Sequence, residues 1–160
     1  MVESFYTPDN FRPQFSIGYL IRRLNKLGLS RVEAAFADRE LNFTQWATLA
    51  LLYSEIADNC RGVARNLGHN AGAMTRVVDQ LEERGLLIRR QHATDRRVNN
   101  LEVTPEGCAL LETLAGRVMD IWNEILIPFE KEEAIQLIAL LGRLLARLEE
   151  LEGEPSEIAP

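Results

Sequence analysis

The stretch "CRGVARNLGHNAGAMTRVVDQLEERG", residues 60–85, constrains the chain more than any other. Val63, Ala64 and Leu67 share one side before Gly68, and Met74, Val77, Val78 and Leu81 repeat at helical spacing after it. Gly68 is a good helix stop, because glycine enters the left-handed region without steric cost. Asn70 is a good helix cap, with a side-chain oxygen able to accept from an orphan amide of the first turn. One helix therefore stops and another starts across Gly68 and His69, and Gly85 closes the second.

Two short helices joined by a tight turn outline a helix-turn-helix. "LLIRRQ" and "VNNLEVT" follow as two short strands with "HATDRR" between them, which completes a winged helix. Thr104 and Pro105 then start a further helix, since threonine caps and proline at the first position loses no hydrogen bond. Upstream, "LNFTQWATLALLYSEI" reads as a buried helix capped by Thr44, with Trp46, Leu49, Leu52 and Tyr53 facing inward. Asp58 and Asn59 are both candidate caps for the segment beginning at Cys60.

The flanks are helical and rich in apolar residues. Ile17, Leu20, Ile21, Leu24 and Leu27 form one face of a first helix, with Arg22, Arg23 and Lys26 largely opposite. Beyond Thr104, a run from Leu110 to Leu126 covers more than one face before Pro128 breaks it. Leu137, Leu141, Leu144, Leu148 and Leu151 then recur at heptad-like spacing. So wide an apolar surface is read as a dimer interface, with an intrachain core as the alternative. The fold expected is mainly α with a small β-hairpin wing. It divides into an N-terminal arm and helix (1–40), a winged helix-turn-helix (41–104), C-terminal dimerisation helices (105–152) and a flexible tail (153–160).

Charge adds a functional constraint. The 160-residue chain has a net charge of -6, which taken whole argues against a polyanionic partner. Residues 61–104, however, carry eight arginines against five carboxylates, a net +3 that leaves -9 for the remainder. A basic middle between acidic ends assigns one segment to a polyanion and the others to a different task. No apolar run reaches a membrane span, and "MVESFYTPDN" lacks a signal-peptide pattern, so a cytoplasmic location is expected. Cys60 and Cys108 have no metal or disulfide spacing and are read as reduced thiols. An enzyme finds little support: there are two histidines, no phosphate-cradling glycine loop and no nucleophile with a motif-level base. Neither a metal nor a cofactor is called for.

In this order, a helix-turn-helix ending in "LEERGLLIRR", then Asp95, Arg97, an alternating strand through Leu101 and Val103, and "TPEG", resembles the MarR family of transcriptional regulators. The resemblance runs from about Thr44 to Gly107. It implies a homodimer that binds a pseudo-palindromic DNA operator, usually to silence a gene, and that a small molecule or oxidation releases.

It also implies that the helix from Asn70 to Arg84 enters the major groove, with Asn70, Ala71, Gly72, Ala73, Thr75 and Arg76 facing the bases. Arg76 can grip guanine O6 and N7 together, while Thr75 and the free amides hold phosphate. "AGA" at 71–73 departs from the bulkier or polar residues frequent in relatives, which favours close backbone approach over side-chain readout. His69 also departs, standing where an apolar residue is usual, and is read as a partly buried imidazole bonded to backbone. In the wing, Arg96 or Arg97 is expected in the minor groove and Asp95 to brace the loop. Arg89 and Arg90 point to opposite faces, so one of them approaches phosphate; Arg90 is grouped with the wing residues.

Ligands of the family sit between the dimerisation helices and the winged helix. The residues that would line such a site are Tyr19, Arg22, Arg23, Trp46, Tyr53 and Trp122, suited to an aromatic carboxylate or phenol. For each aromatic taken singly, plain core packing stands ahead of a ligand contact. Two other readings compete: redox sensing through Cys60 or Cys108, and a DNA-independent interaction module using the terminal helices.

Overall fold

The computed structural model describes residues 4–91 and 99–153, and the chain divides into two compact units, 1–43 and 44–160. The first unit opens with a knot of aromatics. The Tyr6 ring stands edge-on to Phe5 and Phe11, with centroids 4.9 and 5.2 Å away. The Tyr6 hydroxyl accepts a hydrogen bond from the Ile17 amide at 3.0 Å. The Ser16 hydroxyl accepts from the Tyr19 amide at 3.3 Å, so two side chains satisfy orphan donors at the start of α1 (Ile17–Phe36). The predicted apolar stripe lies on this helix and is exposed at Ile17, Leu20, Ile21, Leu24 and Leu27.

Helix α2 (Phe43–Tyr53), which falls in the second unit from Thr44 on, begins one residue before Thr44, which therefore lies inside the first turn and is not the cap predicted. Asn59 caps α3 (Cys60–Asn66), its side-chain oxygen accepting from the Arg61 and Gly62 amides at 3.0 Å each. Gly68 has φ +64, and the His69 amide returns to the Ala64 carbonyl at 2.9 Å to seal the helix end. Asn70 then caps α4 (Ala71–Glu83), accepting from the Ala73 amide at 2.8 Å. At the far end Gly85 has φ +71, and the Leu86 amide bonds back to the Leu81 carbonyl at 2.9 Å.

Strands β1 (Leu87–Gln91) and β2 (Asn99–Val103) pair antiparallel, with Leu87 opposite Val103 and Arg89 opposite Leu101. The segment before α3 joins them, as Asn59 forms a bridge with Asn100 and the Leu101 amide donates to the Asp58 carbonyl at 2.8 Å. Below this sheet lies the core: Leu49, Val63, Met74, Val78, Leu81, Leu87 and Leu114 are all fully buried. Burial of each such side chain contributes roughly 1.5–3 kcal/mol, which makes this cluster the main stabiliser of the unit.

Thr104 and Gly107 attach the next helix to that core. The Thr104 hydroxyl donates to the Gly85 carbonyl at 2.6 Å and accepts from the Gly107 amide at 3.1 Å, capping α5 (Pro105–Leu126) while tying it to the end of α4. A Cβ on Gly107 would stand 2.2 Å from the Leu86 carbonyl oxygen and 2.7 Å from the Val103 side chain. Past Leu114 the helix carries exposed Met119 and Trp122. Helix α6 (Lys131–Glu152), started by a reciprocal cap between Glu130 and Glu133, has no buried residue and leaves its leucines exposed or half-exposed.

Gly107→Ala must displace main chain, and is expected to cost at least about 1–3 kcal/mol in urea unfolding. Gly116→Ala, whose Cβ meets nothing within 4 Å in the chain, should stay within about 1 kcal/mol of the native protein.

Candidate nucleic-acid interface

Helix α4 buries one face and offers the other. Met74, Val78 and Leu81 face the core, so the intervening positions turn outward by helical geometry: Asn70, Ala71, Gly72, Thr75 and Arg76 are exposed and Ala73 is half-buried. All six predicted groove residues thus lie in the first two turns. The small side chains at 71–73 leave that end low and accessible to a phosphate or a base edge. The exposed Thr75 donates its hydroxyl to the Ala71 carbonyl at 2.9 Å. Among the described residues Arg76 has no ion-pair partner, and its side chain is exposed at the same helix end.

His69 departs from its predicted environment. It is exposed, and its Nε2 lies 3.5 Å from the Thr44 hydroxyl, a side-chain partner where a backbone one was expected. The turn has only Gly68 between Leu67 and His69, too little chain to fold an imidazole under the helix.

The two strand arginines separate as alternation requires. Arg89 turns toward α4 and binds Asp79 and Glu82, whereas Arg90 is exposed and its Nε meets the carboxylate of Glu102 on β2. Burial alone would push the Arg89 guanidinium down; its hydrogen bond to Asp79 and the charges of Glu82 and Asp79 outweigh that and hold it above its ordinary value. Arg89 is thus committed to the helix, and Arg90 is the strand arginine on the open face. Asp95, Arg96 and Arg97 lie outside the described residues.

Of the residues assigned to a ligand site, Tyr19, Arg22 and Arg23 lie exposed on α1 in the first unit. In the second unit Trp46 is half-buried, while Tyr53 and Trp122 are 56% and 43% exposed. Neither Tyr53 nor Trp122 is enclosed within the single chain. Tyr53 lines an open concavity of about 440 Å³ with Leu52, Leu101, Val103 and Cys108, rimmed by Glu55, Asp58 and Glu102. Both cysteines are free and half-buried, and the Cys60 sulfur lies 3.9 Å from the Thr75 hydroxyl.

Contacts made by polar residues escaped the sequence reading. Gln45 and Thr48 are buried on α2, where the Gln45 amide donates to the Gln80 side chain of α4 at 3.0 Å and Thr48 donates to the Thr44 carbonyl at 2.7 Å. The Asn59–Asn100 bridge escaped as well, as did the pairing of Arg89 with Asp79 and Glu82. Polar residues carry no periodic hydrophobic signal, and a single-residue bridge is too short to show as a strand.

An exposed, capped second helix beside a two-stranded hairpin defines a winged helix-turn-helix, the architecture of a class of transcriptional regulators. The MarR family model matches residues 41–98. A probable transcriptional regulator from Pseudomonas aeruginosa is 30% identical, the match covering 83% of this chain and 99% of that one, with a TM-score of 0.68. A MarR-family transcriptional regulator from Rhodococcus sp. RHA1 is 26% identical over 83% of this chain and 94% of its own, with a TM-score of 0.76. CouR from Rhodococcus jostii RHA1, solved with p-coumaroyl-CoA, is 27% identical over 82% of this chain and 92% of its own, with a TM-score of 0.72. The chain belongs to the MarR family of transcriptional regulators.

The Asn70 cap fixes where α4 begins. Asn70→Ala should lower stability by about 1 kcal/mol in thermal unfolding, while Asn70→Asp, an equally good cap, should not.

Proposed function

We propose that the protein is a repressor that binds a pseudo-palindromic operator as a homodimer through Asn70, Ala71, Gly72, Ala73, Thr75 and Arg76, with the wing residues Arg90, Asp95, Arg96 and Arg97 beside them. The observation that carries this reading is the exposed N-terminal end of α4, where a cap, small side chains and an arginine face solvent together. Free amides and the helix dipole at that end favour phosphate, and Arg76 supplies a bidentate donor for guanine. The net +3 of residues 61–104 supports the same surface.

The exposed apolar residues of α5 and α6, among them Trp122, Ile138, Leu141 and Leu148, support self-association. A dimer would set two reading helices about one DNA turn, roughly 34 Å, apart. Release would come from a small aromatic or phenolic ligand, a class in keeping with the p-coumaroyl-CoA bound by CouR and with exposed Tyr53 at the concavity beside β2 and α5.

The test is binding to labelled upstream intergenic DNA at two salt concentrations, with and without a set of aromatic acids. A sequence-preferring complex dissociated by one of the acids is expected; no preference over mixed DNA would remove the proposal. Arg97→Ala should weaken binding and flatten its salt dependence by about one unit of slope, and Arg76→Ala should also relax sequence preference. Gly72→Ala has room for its Cβ, 3.5 Å from the Asn70 side chain, and should fold at least as stably as the native chain. It should nevertheless bind DNA more weakly, because the added methyl holds the backbone off the groove.

A further inference from the structure

The contact between Arg89 and α4 spans the turn that joins α4 to β1. Asp79 and Glu82 stand three residues apart, on one face of α4. The Arg89 guanidinium reaches both, Nη2 to Asp79 and Nη1 to Glu82, and the Arg89 amide also donates to Glu82 at 3.2 Å. Glu82 is thereby held by side chain and main chain of the same strand residue. Between the two elements lies Gly85, with its left-handed backbone. A five-residue strand reaches about 17 Å, so a tilt of about 10° at this turn would move the far end of β1 about 3 Å.

We infer that Arg89 is a positioning residue, which through Asp79 and Glu82 fixes the wing hairpin at the angle to the recognition helix that DNA requires, without touching DNA itself. The inference rests on the DNA-binding reading above. Apolar packing at Leu81, Leu86 and Leu87 holds the two elements together but is not directional, and the hydrogen bonds of Thr104 and Leu101 run to Gly85 and Asp58 and not to the face of α4. The planar guanidinium, engaged by two carboxylates, sets the angle, and its three groups are only partly exposed, at 27%, 49% and 36%. A guanidinium stays charged throughout the working pH range, so the contact persists across it.

A positioning role has a signature opposite to that of charge. Asp79→Asn and Glu82→Gln each remove a negative charge from a helix beside a polyanion, so charge alone would tighten DNA binding. As anchors for Arg89 they weaken it when lost. The probe is the duplex that the native protein enriches from a randomised library, titrated by fluorescence anisotropy at several salt concentrations. Amide hydrogen exchange is followed on the same full-length variants.

Arg89→Met, which keeps the stem, should weaken binding about tenfold with the salt slope unchanged. The double variant Asp79→Asn/Glu82→Gln should weaken it similarly, and adding Arg89→Met should cost little more. Arg89→Lys should recover part of the loss. Exchange should quicken in β1 and β2 and stay unchanged in α5. A slope reduced by about one unit, marking direct phosphate contact, would overturn the inference. So would tighter binding by the carboxylate variants, or unaltered exchange in the hairpin. Failure of the native protein to enrich any duplex would defeat the DNA-binding reading instead, with hydrogen exchange still deciding whether Arg89 couples hairpin and helix.

Discussion

The close approach of Gly107 to the Leu86 carbonyl is the contact on which the winged unit depends. There the end of α4, the start of β1 and the first turn of α5 share a space that a single methyl group would fill. The Thr104 hydroxyl spans the same point, capping α5 with its lone pair and donating its proton to Gly85. Sheet, recognition helix and the helix leading to the exposed leucines are thus locked at one junction. A displacement of α5 at this point has the end of α4 directly in its path.

Charge is distributed to match that framework. The half-exposed acidic residues of α4, Asp79 and Glu82, are answered by Arg89, so they do not oppose an approaching polyanion unpaired. The opposite end of α4 carries no acid in its first turn and presents a cap, three small residues and Arg76. The acidic excess of the chain lies mainly outside this segment, and α6 with its Glu-rich first turn contributes to it. An overall net charge of -6 is therefore compatible with a surface for DNA.

Much of this organisation was legible in the sequence because its signals are local. Gly68, Asn70, Gly85, Thr104 and Pro105 each impose a backbone conformation or satisfy an amide within a few residues, and all of them occupy their predicted roles. Periodicity located the core face of α4 for the same reason. What escaped depends on distance in sequence: Gln45 with Gln80, Asn59 with Asn100, and Arg89 with two carboxylates of a different element. Alternation showed that Arg89 and Arg90 part company, but which faced the helix required the register of the hairpin. Thr44 misled because a threonine before an apolar run looks like a cap even when the helix starts a residue earlier. Tyr53 fits a core pattern yet stands exposed, while the exposure of Trp122 accords with the apolar surface read as a dimer interface.

The central claim is that the N-terminal end of α4 reads duplex DNA from a two-fold symmetric protein. Hydroxyl-radical footprinting of the native protein on its selected duplex tests it most directly. The account predicts two protected patches on one face of the duplex, related by two-fold symmetry and centred about one helical turn, roughly 34 Å, apart. A single unpaired patch, or uniform protection that ignores sequence, would contradict it.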